Sequence, residues 1–142
     1  MAKRILVPIG PRDDHDTLLA LIADVARSAG ATVRLLHVMP PPDTQTQKYG
    51  RVISYASQEI EALEARGVAH LKSLSASLHG VPVEPSVRFG DVAEEILLEA
   101  AGFGAELIAL RAQPRRWWRP FGLGGVARRV AARAAAPVMV LA

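Results

Sequence analysis

Two stretches of this 142-residue sequence carry side chains capable of chemistry. The first is RRWWRP, in which Arg115, Arg116 and Arg119 flank Trp117 and Trp118. Guanidinium groups bind phosphate bidentately, and indole faces stack on bases and cations. The loop therefore suits an anionic ligand or surface, and its composition equally suits a core edge or a protein interface. Just beyond it, Gly124 and Gly125 lead into VARRVAARAA, a glycine turn opening a helix. Backbone N–H groups converge on an anion at such a place. The second stretch is the DDHD run at positions 13–16, whose residue types can ligate metals. Successive helical residues point about 100° apart, so the run does not close on one ion. Its expected role is to cap a helix through Asp13, Asp14 or Asp16.

Other catalytic patterns are absent from the sequence. There is no GxxxxGK followed by Ser or Thr, no HExxH and no nucleophile elbow. There is no cysteine, so thiol chemistry, disulfides and cysteine-based metal sites are excluded. His37 falls within an apolar run and is expected to be a hydrogen-bonded core histidine. His15, His70 and His79 share no ligand spacing. Neither a metal site nor a catalytic group is expected.

The net charge of +3 is unevenly distributed. From Arg111 onward there are seven arginines and no acid, whereas the residues before it hold ten Lys and Arg against fourteen Asp and Glu. This places an anionic ligand or partner at the C-terminal end, but the small total makes nucleic acid an unexpected partner. No apolar run approaches the roughly 20 residues of a membrane span. Pro8 and the acids behind it argue against a signal peptide. A cytoplasmic protein of one domain, residues 1–142, is expected, with half its residues hydrophobic and enough of them to build a core.

The elements that must position these groups alternate. A buried strand is read at 3–9 and a helix to about Ser28, with Gly30 as its C-cap. A second strand spans 32–39 and is closed by Pro40, Pro41 and Pro42. A long helix then runs from about 52 to 79, with a bend expected at Gly67. A third strand spans 81–89. It is followed by a helix capped by Asp91 and Glu94, with Ile96, Leu97 and Ala100 inward. A strand at 107–110, the loop, the glycine-initiated helix and a last strand at 138–141 complete the order. Such alternation predicts an α/β fold with a parallel sheet covered on both faces.

Five separated blocks, ILVPI, GATVRLLHVMPPP, GDVAEEILLEA, AELIAL and LGGVARRVAARAAAPVMVL, together resemble the universal stress protein family over essentially the whole chain. The resemblance implies a doubly wound five-stranded sheet of order 3-2-1-4-5, two helices per face, of the adenine nucleotide alpha hydrolase-like class. Some family members bind ATP and others do not. Binders follow a pattern of Gly, two residues, Gly, nine residues, Gly and then Ser or Thr. Aligned on Gly124, the earlier glycines fall on Pro114 and Arg111 and the hydroxyl position on Gly125, while the family's strand-one acid falls on Gly10. Proline has no N–H to give, and an arginine side chain stands where bare backbone would approach. Pro8, Val38, Gly124 and Val126 match pocket-lining positions. The last strand, Val138, Met139, Val140 and Leu141, matches the family's two-fold contact and is an apolar edge that invites pairing.

The resemblance thus implies a homodimeric, non-enzymatic stress-response module with no cofactor and no tight ATP binding. Two alternatives stand beside it. One is a nucleotide-binding switch or weak ATPase taking ATP and Mg through Arg111, Arg115 or Arg116. The other is an anionic-surface binder using the Arg/Trp loop.

Overall fold

A computed structural model describes residues 3–10, 15–40, 52–112 and 125–141, with side chains of the long helix from residue 58 onward. The core strand β1 (Arg4–Pro8) has Ile5, Leu6 and Val7 wholly buried, so both its faces are covered. Helix α1 (Asp16–Ala29) presents Leu18, Leu19, Ile22, Ala23 and Ala26 to the core at helical spacing. β2 (Thr32–Met39) follows, then α2 (Val52–Ser75), β3 (Val83–Phe89), α3 (Val92–Phe103), β4 (Leu107–Arg111), α4 (Gly125–Arg133) and β5 (Val138–Leu141). The five strands form one parallel sheet of order β3-β2-β1-β4-β5, as the sequence predicts.

Alternation along each strand divides the interior in two. Ile5, Val7, Val33, Leu35 and Ala109 pack with α1 and with Leu71 and Leu78 on one face. Leu6, Leu36, Val38, Ile108 and Leu110 pack with Ala93, Ile96, Phe103 and Val130 on the other.

Three local expectations are corrected. The N-cap position of α1 is His15, with no side-chain cap hydrogen bond, and Asp16 is already the first helical residue. Asp13 and Asp14 lie outside the described residues. The long helix ends at Ser75 rather than at 79. Hydrogen-bonded turns from Ser77 and Leu78 back to Leu74 and Ser75 bring the chain round, and β3 begins at Val83 rather than at 81. α2 is helical on both sides of Gly67. A Cβ at that position would lie 2.7 Å from the Met39 methyl and 2.9 Å from a Val87 methyl. The glycine serves close packing of helix on sheet.

Candidate functional site

The carboxyl ends of β1 and β4 are the switch point of this sheet, because the chain leaves β1 toward β2 on one side and β4 lies on the other. A cavity of about 150 Å³ opens there, lined among others by Pro8, Gly10, Val38, Val92, Arg111 and Val126. Strand order brings these residues together from five separate segments, Val92 being the first residue of α3. Pro8 ends β1, Val38 is near the end of β2, Arg111 ends β4, and Val126 is in the first turn of α4. Leu36, Ile96 and Leu110 complete an almost wholly apolar wall. Sequence reasoning had singled out Pro8, Val38, Val126, Gly10 and Arg111. It did not single out Val92, the first residue of α3.

The walls of the cavity are fixed by polar contacts just outside it. Asp91 caps α3 by accepting from the Glu94 N–H at 3.0 Å and also receives both terminal nitrogens of Arg129 on α4. The bond from the Glu94 amide, followed by the Arg129 guanidinium, holds the Asp91 carboxyl below its ordinary range. Arg133 pairs with Glu94 one turn further along both helices. α3 and α4 are therefore tied at the end that carries Val92 and Val126.

Gly125 opens α4 with φ of +57°. An L-residue is strained in that left-handed conformation, so the position that aligns with a family hydroxyl is held as glycine by its backbone. None of the described residues lining the cavity is a carboxylate, and Arg111 lines it where the family pattern has a glycine. The described residues thus do not fit the glycine-and-hydroxyl arrangement that seats a triphosphate. Pro114, Arg115, Arg116, Trp117, Trp118, Arg119 and Gly124 lie outside the described residues.

A second polar assembly was not anticipated. Glu99 on α3 is buried, 6% exposed, with one carboxylate oxygen accepting from Arg34 on β2 and from Ser86 on β3, each at 2.9 Å. The other oxygen accepts from Arg88 on β3, also at 2.9 Å. Arg34 is shared with Glu84, and Arg88 with Glu95. The Arg34 guanidinium also lies 4.1 Å from the centre of the Phe103 ring. Burial pushes the Glu99 carboxyl up, but Arg88, Ser86 and Arg34 together outweigh it and leave it below the ordinary value. The available signal was period two: Glu84, Ser86 and Arg88 alternate with Pro85 and Val87, giving one polar face that needs polar partners.

His37 is hydrogen-bonded, as expected, with Nδ1 3.0 Å from the Ile9 carbonyl oxygen. It is only half-buried and belongs to the α2 side of β2. Among the described residues no group of three or more His, Asp or Glu side chains is arranged to hold a metal, and no helix is long and apolar enough to cross a membrane.

Solved structures with this architecture include universal stress protein UspA from Lactobacillus plantarum, 17% identical, TM-score 0.77, covering 99% of this chain and 97% of that one. A protein of the universal stress protein family from Burkholderia pseudomallei is 23% identical, TM-score 0.64, with 98% and 95% covered. The universal stress protein from Archaeoglobus fulgidus in complex with dAMP is 20% identical, TM-score 0.62, with 98% and 97% covered. At these identities the likeness is one of fold. No curated protein matches by sequence. The model of the universal stress protein family matches residues 1–142, the whole chain, which therefore belongs to that family.

Proposed function

We propose that the chain is a non-enzymatic stress-response module that holds no ATP tightly and acts as a homodimer through contacts with other proteins. The observation that supports this reading is the wall of the switch-point cavity. Its described residues are apolar apart from Gly10 and Arg111, and none of them is a carboxylate that could accept from ribose hydroxyls. Its volume of about 150 Å³ is below the roughly 300 Å³ at which drug-sized ligand pockets begin. A space of this size and polarity takes a single planar ring and offers little to the rest of a nucleotide.

One observation favours a second reading, a nucleotide-binding switch: Arg111 lines the cavity, and guanidinium suits phosphate. The Archaeoglobus relative is a dAMP complex. Titration calorimetry with ATP and Mg separates the two. The module reading expects no saturable heat below millimolar nucleotide. Micromolar binding that Arg111→Ala removes would establish the switch instead. Anion binding by the Arg/Trp loop remains a third proposal, and steep salt dependence on anionic vesicles is its mark.

A further inference from the structure

β2 has two faces at its carboxyl end. Leu36 and Val38 line the switch-point cavity, and the residues between and beyond them, His37 and Met39, line a separate groove of about 350 Å³ against α2. From α2 come Leu63, Arg66, Gly67 and His70, which share one helical face by their spacing. We propose that this groove binds a small oxoanion carrying a hydroxyl group, a hydrogen phosphate or a hydroxycarboxylate. The proposal concerns a different face of the sheet and is independent of what the cavity binds.

Three observations carry it. First, the groove collects nitrogen without any acid. Among the described residues that line it the polar side chains are His37, Arg66 and His70, and none is Asp or Glu. The nearby acids Glu61 and Glu64 line another concavity together with Lys72. Second, Arg66 is unlike most described arginines. Arg27, Arg34, Arg88, Arg129 and Arg133 are each in an ion pair with a carboxylate, and Arg66 is in none among the described residues. It sits four residues before His70, so both side chains belong to the helical face that lines the groove. Third, the tautomer of His37 is fixed. A carbonyl oxygen only accepts, so the His37 Nδ1 beside Ile9 carries the hydrogen, and the neutral ring keeps Nε2 as an acceptor. Arg66 thus calls for negative charge, His70 adds a ring nitrogen beside it, and His37 calls for an O–H donor on the same ligand. Met39 and Leu63 supply an apolar wall for its carbon skeleton. Gly67, with no room for a Cβ beneath Met39, lets the helix come close enough for both elements to reach one molecule.

The test is a titration of the full chain at constant ionic strength, balanced with chloride, following the ring resonances of His37 and His70. The probes are citrate, tricarballylate (the same three carboxylates without the hydroxyl) and inorganic phosphate. The expected result is saturable shifts of both histidines, with citrate roughly fivefold tighter than tricarballylate, the worth of one hydrogen bond. Whether citrate or phosphate binds more tightly distinguishes the carboxylate from the phosphate source. Arg66→Gln weakens binding at least about tenfold, as loss of a charged partner does. Arg128→Gln, at an exposed arginine on α4, leaves binding unchanged. Non-saturating shifts with all three probes overturn the proposal. So does equal affinity for citrate and tricarballylate, or wild-type affinity in a folded Arg66→Gln protein.

Discussion

β3 and β5 each have a single neighbour in the sheet, yet they present opposite chemistry. β3 turns Glu84, Ser86 and Arg88 toward α3, where Glu95 and Glu99 receive them or Arg34 mediates. It also carries Pro85, which has no N–H to offer another strand. β5 offers Val138, Met139, Val140 and Leu141, with Val140 44% exposed. Inward charges and proline close an edge, whereas a short apolar strand with free N–H and C=O groups leaves it open. The difference is the physical reason for proposing β5, and not β3, as the dimer edge. It also shows that charge near a sheet edge need not mean a binding site: every charged group of the Glu99 assembly is in an ion pair, whereas Arg66 beside the groove is in none among the described residues.

The largest expected effect is at the closed edge. Glu99→Ala leaves Arg34 and Arg88 half-partnered against α3, and denaturant unfolding should register a loss of about 3 kcal/mol, the low end for breaking a buried pair because Glu84 and Glu95 remain. A loss below about 1 kcal/mol would mean that hydrocarbon alone holds α3 to β3. The same carboxyl fixes a pH dependence. Its folded value is lowered from 4.5, so its contribution is complete above that pH and disappears as pH falls through the lower folded value. Acid unfolding curves should therefore be steeper for the wild type than for Glu99→Gln, and superimposable curves would contradict the assignment.

Gly67→Ala probes the other face of β3, where Val87 meets α2. Overpacking of about 2 kcal/mol, offset by about 1 kcal/mol of improved helix propensity, predicts a net loss near 1 kcal/mol. A stabilised variant would show that α2 can move outward freely. The smallest stability effect is expected at the open edge. Val140→Lys should change unfolding of the monomer by less than about 0.5 kcal/mol while native mass spectrometry shifts from dimer to monomer. A dimer that survives the lysine would place the contact elsewhere.

Much of the architecture was legible because its signals are local. Ile5, Leu6 and Val7 announce a strand buried on both faces, Asp91 and Glu94 announce a helix start, and Gly30 closes α1 with φ of +64°. The His15 cap was not legible, because three neighbouring aspartates compete for that position and propensity does not rank them by geometry. The packing role of Gly67 was not legible for a related reason. Helix propensity registers what glycine lacks, and only the position of Met39 and Val87 shows what its absent side chain makes room for. Five residues of the cavity wall, Pro8, Gly10, Val38, Arg111 and Val126, were identified through family resemblance. Val92 was missed because nothing about a valine after a cap marks it as a wall.

The sequence by itself determined the alternation of strand and helix, the parallel sheet and the family, because hydrophobic period and turn residues act over a few positions at a time. Tertiary structure alone decided which charges meet. Glu99 is separated in sequence from Arg34, Ser86 and Arg88 by 65, 13 and 11 positions, and only the crossover of α3 over β2 and β3 makes one hydrogen-bonded assembly of them. The same crossover rule, applied on the opposite face, leaves Arg66 and His70 beside His37 with no carboxylate among the described residues that line the groove. Charge is written in the sequence, but whether it is compensated depends on distances of a few ångströms across elements, which only the folded sheet sets.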